Sequence, residues 1–269
     1  MFNILKYFDG TYKNSLSLHK SLVPNEKSKK SIVFISFHKC ATSFFSKKVF
    51  KEIGDYSQIN YLQEMYDSSH NYYPLMKDKG YLYGVIRLQN SDHPRYKFVN
   101  DLLKQKNFPR LKHIFWIRDP RDILVSMYYS FGFTHGYSNT SDVQEYQKKR
   151  RKLIPQSLDE FVIAEAPKIN KKFNQMSELI ENSNDYILLK YEYMINSFDD
   201  FYSQLNSFMP INEAFYQDFK NETTPNEVED VSSHKRSGKV GGFRESLRPE
   251  TILKVNEILA GNLKRFDYD

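Results

Sequence analysis

Three stretches of this chain combine cationic side chains with turn residues, the chemistry of anion binding. The first is the turn His38-Lys39-Cys40-Ala41-Thr42-Ser43, which holds an ammonium and two hydroxyls. The second is Arg118-Asp119-Pro120-Arg121-Asp122 with Ser126 one turn further on. The third, residues 232–247 (SSHKRSGKVGGFRESL), carries three glycines and four Lys or Arg and reads as a flexible cationic loop able to wrap an anion. The pattern G-x-x-x-x-G-K-[ST] is absent, so an ordinary ATP or GTP site is not indicated.

The elements around these residues explain how such a site is built. Residues 31–37 are β-branched and aromatic and read as a buried strand. After the turn, apolar residues at Phe44, Phe45, Val49 and Ile53 suit a helix packed on a sheet, with Thr42 or Ser43 as its cap. A strand, a tight turn and a helix N-terminus point free backbone N–H groups and the positive dipole end at whatever occupies the turn. Residues 113–117 repeat this geometry: a buried strand leads to Asp119 as N-cap and Pro120 at the first helical position. Arg118 and Ser126 then both reach toward an anion at that second corner.

Further strands are expected at 81–88 (YLYGVIRL) and 186–191 (YILLKY), and residues 59–65 read as a short strand or a loop. If 81–88 runs parallel beside the first strand, Arg87-Leu88-Gln89 lies next to the first turn. Helical spacing marks 96–104, 198–208 and 248–265, while 157–182 reads as one or two helices interrupted at Pro167. Residues 66–79 look like an irregular surface segment for an acceptor, and 131–141 like a loop that closes over a ligand. Residues 1–30 read as an N-terminal arm and the basic run 144–152 as a solvated helix face. The pattern predicts an α/β fold: one domain over 31–269 with a central parallel sheet flanked by helices.

Composition narrows the class. With 269 residues, 40% of them hydrophobic, and 20 Tyr and 21 Phe, the chain has the material for a sizeable core. Lys and Arg outnumber Asp and Glu by 39 to 33, a net charge of +6 that favours anionic ligands. Cys40 is the one cysteine, which rules out an internal disulfide or a cysteine metal cluster and points to a reducing compartment. No apolar run is long enough for a signal peptide or a membrane span, so a soluble, cytoplasmic protein is the expectation.

The three anion-binding stretches together resemble the cofactor motifs of the sulfotransferases. Phe37-His38-Lys39-Cys40-Ala41-Thr42-Ser43-Phe44 looks like the family's phosphosulfate loop, commonly Y-P-K-S-G-T-T-W. Residues 118–129 (RDPRDILVSMYY) are very similar to its R-N-P-K-D-x-x-V-S-x-Y-Y segment, and 236–244 (RSGKVGGFR) resembles its R-K-G-x-x-G-D-W-K loop. The order fits from Val33 to Phe243. The resemblance implies transfer of a sulfuryl group from 3′-phosphoadenosine 5′-phosphosulfate (PAPS) to a hydroxyl or amine, on a sheet related to the nucleotide kinases. It implies that Lys39 and the amides of Cys40, Ala41, Thr42 and Ser43 hold the 5′-phosphosulfate. Arg118, Ser126 and Arg236 then take the 3′-phosphate, Ser237 and Gly238 belong to the same cofactor-binding loop, and Phe44 and Tyr191 lie near the adenine. A small-molecule, lipid or carbohydrate acceptor follows, with no nucleic acid partner. Sulfuryl carries less charge than phosphoryl and recruits no metal, and no clustered carboxylate and His set appears in the sequence.

This chain departs from the family pattern at several positions. Ala41 stands for the loop's first glycine, at a cost of about 1 kcal/mol if the position needs positive φ. Gly242 replaces an Asp and Ser237 a Lys. Gln89 stands where a K-T-H segment would place the general base, and glutamine cannot accept a proton. His38, His93, His70 and Glu64 are the candidate replacements. Two competing readings remain: a catalytically silent module binding nucleotides or RNA, and an atypical ATP-dependent small-molecule kinase, which magnesium dependence would reveal.

Overall fold

The structure, a computed structural model, describes residues 29–60, 76–90, 100, 103–134, 156–224 and 238–268. In chain order its elements begin with β1 (Ile32–Ser36), α1 (Thr42–Lys47), β2 (Ser57–Asn60), β3 (Tyr81–Arg87), β4 (Lys112–Ile117) and α2 (Pro120–Tyr129). They continue with α3 (Leu158–Glu181), β5 (Tyr186–Lys190), α4 (Tyr191–Asn196), α5 (Phe198–Phe208), α6 (Tyr216–Thr223), α7 (Phe243–Ser246) and α8 (Pro249–Arg265). Contacts divide the chain into two compact units. One comprises the residues up to Ile117 with Gln175–Leu189 and Asp199–Phe219; the other comprises Arg118–Asn174, Lys190–Phe198 and Lys220–Asp269.

The first unit is organised by the sheet, in the order β2-β3-β1-β4-β5. β1 runs parallel to both β3 and β4, and β2 parallel to β3. The continuous apolar run of β1 follows from this central place: every residue from Ile32 to Ser36 is fully buried. β2 makes Ile59 and Asn60, the start of the segment read as a strand or a loop, part of a strand, while residues 61–65 lie outside the described residues. α1 is shorter than its apolar spacing suggests, giving way to a 3-10 turn over Val49–Glu52. That tighter turn carries the Phe50 ring onto Gly84 of β3, where a Cβ would meet both Phe34 and Phe50 at 3.0 Å. Around it Phe34, Phe45 and Trp116 pack as a ring cluster, with Phe45 4.9 Å from each of the other two.

In the second unit α2 starts as its sequence predicts. Asp119 is the N-cap, accepting from the Arg121 N–H at 2.9 Å, and Pro120 takes the first turn. A π-type turn over Ser130–Thr134 prolongs α2, so the expected loop begins helically. α3 runs through Pro167 without the expected interruption. Pro167 is exposed while Phe161, Val162, Ala166 and Ile169 are buried, so the ring lies on the solvent side and the buried face keeps the helix whole. α8 buries Val255, Leu259 and Leu263, and its Asn262 amide donates to the side-chain oxygens of Asn170 and Asn174, each at 2.7 Å. Within residues 232–247 the described part is ordered backbone: Gly238 and Gly241 have positive φ, and α7 starts at Phe243.

Candidate functional site

Cations and amides gather at two strand-to-helix corners, one in each unit. The corner after β1 owes its shape to two non-glycine residues in left-handed conformation, Lys39 at φ 68° and Ala41 at φ 51°. Ala41 is the N-cap of α1 and its carbonyl accepts from the Phe44 N–H at 3.0 Å, so neither Thr42 nor Ser43 caps the helix as expected. Left-handed residues in a tight turn bring successive N–H groups to one side, the concavity that binds anions elsewhere. The strain is of order 1 kcal/mol per residue, and such strain persists only where surrounding structure enforces it. Here the enforcement is visible. The buried Trp116 indole N–H donates to the Cys40 carbonyl, and the Ser36 hydroxyl donates to the Trp116 carbonyl at 2.8 Å.

The Thr42 and Ser43 hydroxyls are engaged by β3 instead. Parallel register puts Arg87 opposite Ser36, beside the turn. Its Nε donates to Thr42 Oγ1 at 2.9 Å, Nη2 also donates to Thr42, and Nη2 lies 3.3 Å from Ser43 Oγ. With Thr42 Oγ1 accepting from a guanidinium, its own O–H is directed away from Arg87. Sequence reasoning placed Arg87 beside this turn but gave it no role; the signal was its position at the end of β3, opposite the last residue of β1. Gln89, 5% exposed, donates through Nε2 to the Arg87 carbonyl at 3.0 Å, which fixes the orientation of the amide. The same nitrogen sits 3.3 Å from His38 Nε2. An N–H aimed at Nε2 assigns the lone pair to that atom and the ring proton to Nδ1. Cys40 is fully buried, and Phe44 packs on Phe219 at 5.2 Å between ring centroids.

The second corner surrounds Arg118. Its side chain is 13% exposed, Nη2 lies 3.7 Å from Asp122 Oδ2, and Nη2 donates to the Lys239 carbonyl at 3.2 Å. The guanidinium stacks over the Tyr191 ring at 4.4 Å, and the Tyr191 hydroxyl donates to the Gly238 carbonyl at 2.8 Å. Tyr191 therefore offers one ring face to Arg118 and ties down Gly238. Ser126 is half-buried, on the same α2 face as Asp122 by helical spacing. Asp122 accepts the Gly241 N–H at 2.8 Å and the Phe243 N–H at 3.0 Å. Burial raises its pKa above the usual carboxylate value, against the pull of Arg118 and of those two N–H groups. Arg121, beneath, pairs with Asp119 at 2.8 Å and donates to Asn256 at 3.0 Å, locking the helix start to α8. Sequence reasoning missed Asp122, which as an acidic residue in a first helical turn already had a bland explanation.

The structure thus brings Lys39, His38, Cys40, Ala41, Thr42 and Ser43 together with Arg87 and Gln89 at one corner, and Arg118, Tyr191 and Gly238 at the other. His93, Arg236 and Ser237, with Glu64 and His70, lie outside the described residues. Each donor set suits an anion: at the first corner an ammonium, a guanidinium, hydroxyls and left-handed backbone, and at the second a guanidinium stacked on an aromatic ring.

Comparison with known proteins gives a family for this arrangement. The sulfotransferase domain family matches residues 29–267. Among solved structures, a mouse sulfotransferase, SULT7A1, complexed with PAP is similar at 17% identity and a TM-score of 0.50, over 87% of this chain and 85% of that one. A retinol dehydratase in a complex with retinol and PAP is similar at 13% identity and a TM-score of 0.44, over 95% of this chain and 86% of that one. At these identities the likeness to SULT7A1 speaks for the fold. No curated protein matches the chain.

Proposed function

The chain belongs to the sulfotransferase family, and from that premise we propose that it moves a sulfuryl group from PAPS to a hydroxyl or amine. The observation that carries this reading is the left-handed Lys39 to Ala41 turn with its hydroxyls held by Arg87, a cradle for a tetrahedral anion. The acceptor's oxygen bonds to sulfur as the bond from sulfur to the bridging phosphate oxygen breaks, that electron pair staying on the departing 3′,5′-bisphosphate. Lys39 neutralises the charge that develops on the leaving oxygen, and the amides of Cys40 to Ser43 hold the flanking oxygens, an electrostatic role set up in advance. Arg118 and Ser126, with Arg236, Ser237 and Gly238, take the 3′-phosphate; Phe44 and Tyr191 border the adenine.

His38 serves as proton acceptor in this reading. Gln89 supports it by holding the lone pair on Nε2, where an acceptor hydroxyl takes the place of the Gln89 amide. His93 is the alternative base. A small-molecule, lipid or carbohydrate acceptor completes the proposal, and the single, buried Cys40 supports a cytoplasmic location.

Labelled sulfate transfer from PAPS to a library of phenols, alcohols, amines and sugars tests the whole. Transfer is expected, and Lys39→Ala and Arg118→Ala each lower it by about 1–3 kcal/mol, roughly 5- to 150-fold. His38→Ala abolishes the fall in rate on the acid side of the pH profile if His38 is the base; His93→Ala does so if it is not. Tight bisphosphate binding without transfer to any acceptor favours the silent module, for which Gln89 at the strand end is the supporting observation. Phosphate transfer from ATP with magnesium, and no bisphosphate binding, overturns the proposal in favour of a kinase.

A further inference from the structure

The stretch from Gly238 to Phe243 is fixed to its corner at four points, and one residue supplies two of them. The Tyr191 hydroxyl holds the Gly238 carbonyl at 2.8 Å, and Arg118 Nη2 holds the Lys239 carbonyl at 3.2 Å. Asp122 does the rest: Oδ2 accepts the Gly241 N–H at 2.8 Å and Oδ1 accepts the Phe243 N–H at 3.0 Å. Asp122 is 3% exposed, and a carboxylate so placed needs partners that repay its desolvation. Arg118, at 3.7 Å, lies beyond hydrogen-bond reach, so the loop amides are its short-range partners. The backbone is shaped for this. Gly241 has φ +73°, which a side chain would strain.

We propose that Asp122 is the positioning residue of the nucleotide end of this site: its carboxylate latches the 238–243 backbone beside Arg118 and so sets how strongly the protein recognises a 3′-phosphate. This rests on the sulfuryl-transfer reading for the identity of the ligand. The two amides and the one guanidinium converge on the same carboxylate, so loss of Asp122 frees the loop and removes the counter-charge of Arg118 together. A group that merely stabilised the fold would weaken all ligands alike.

The test is calorimetric titration of the full chain and its Asp122→Asn variant with 3′,5′-ADP and with 5′-AMP, which lacks the 3′-phosphate, beside amide hydrogen exchange at Gly241 and Phe243. Asn keeps the shape, offers one acceptor for two amides and carries no charge. The ratio of the two nucleotide affinities is expected to fall at least tenfold in the variant, about 1.4 kcal/mol. The amides of Gly241 and Phe243 should lose protection by a similar factor while those of β1 keep theirs. Should Asp122→Asn not accumulate as folded protein, Asp122→Glu, which keeps the charge and displaces the oxygens by one methylene, is expected to shift the same ratio. A parallel loss for both nucleotides with an unchanged ratio overturns the proposal, as does unchanged protection at the two amides. A wild-type chain that binds neither nucleotide refutes the sulfuryl-transfer reading instead, and the hydrogen-exchange arm then decides the latch by itself.

Discussion

His113 is a fully buried imidazole in the middle of the sheet, stacked on Phe115 with 5.7 Å between centroids and 4.4 Å from the Phe108 ring. The carbonyls of Phe108 and Asp185 lie near its ring nitrogens without a hydrogen bond of ordinary geometry, and burial lowers its pKa to about 4. The folded pKa is thus below the unfolded value of about 6.5, so below pH 6.5 the unfolded chain binds a proton that the folded one refuses. Stability falls as pH drops through this window and the loss is complete below about 4. His113→Phe, which cannot titrate, should lose about 2 kcal/mol less than the wild type between pH 7 and pH 4.5 in urea unfolding. Equal losses in the two proteins would exclude the mechanism. The same scale governs Ala41. Its φ of 51° is costly for an L-residue, and Ala41→Gly should raise the unfolding free energy by a net of about 0.5–1 kcal/mol after the extra chain entropy of glycine, seen as a higher urea midpoint. A lower midpoint would show that the turn is not strained.

At the scale of elements, the strands rich in β-branched and aromatic residues are legible in sequence because burial on both faces demands continuous apolar runs: β1, β3 and β4 all fall where those runs predict. α2 is legible for a different reason, the Asp119-Pro120 start. β2 is not, since Ser57-Gln58-Ile59-Asn60 has one apolar residue and takes its extended form from pairing with β3. Of the site, the cations and the turn could be read from types and spacing. The links could not: Thr42 meets Arg87 across 45 positions and Gly241 meets Asp122 across 119, distances over which only the fold decides contact. α3 shows tertiary burial overriding propensity at Pro167. Pro167→Ala should therefore stabilise the protein by about 1–3 kcal/mol in thermal or urea unfolding, by restoring a helical N–H and removing a ring clash. Gly84→Ala should act oppositely, costing about 1–3 kcal/mol through overpacking against Phe34 and Phe50. Were Gly84→Ala neutral, the close approach of α1's trailing turn to β3 would be disproved.

For the molecule as a whole, the family match over residues 29–267 takes in sequence from both compact units. Among the described residues no helix is long and apolar enough to cross a membrane. The net charge of +6 bears on a ligand with several negative charges, and its attraction is screened by salt. Raising ionic strength from about 0.05 to about 0.5 M should weaken 3′,5′-ADP binding at least threefold, as the Debye length shrinks to a few ångströms. An affinity indifferent to salt would mean that contacts to the adenosine carry the binding.

Trp116 is the chain's single tryptophan, wholly buried, with its indole N–H on the Cys40 carbonyl. The protein consequently contains its own optical reporter. Ultraviolet emission comes from one indole whose polar atom touches the backbone of the Lys39–Ala41 turn, so a ligand seated in that turn should register as a wavelength or intensity change without any label.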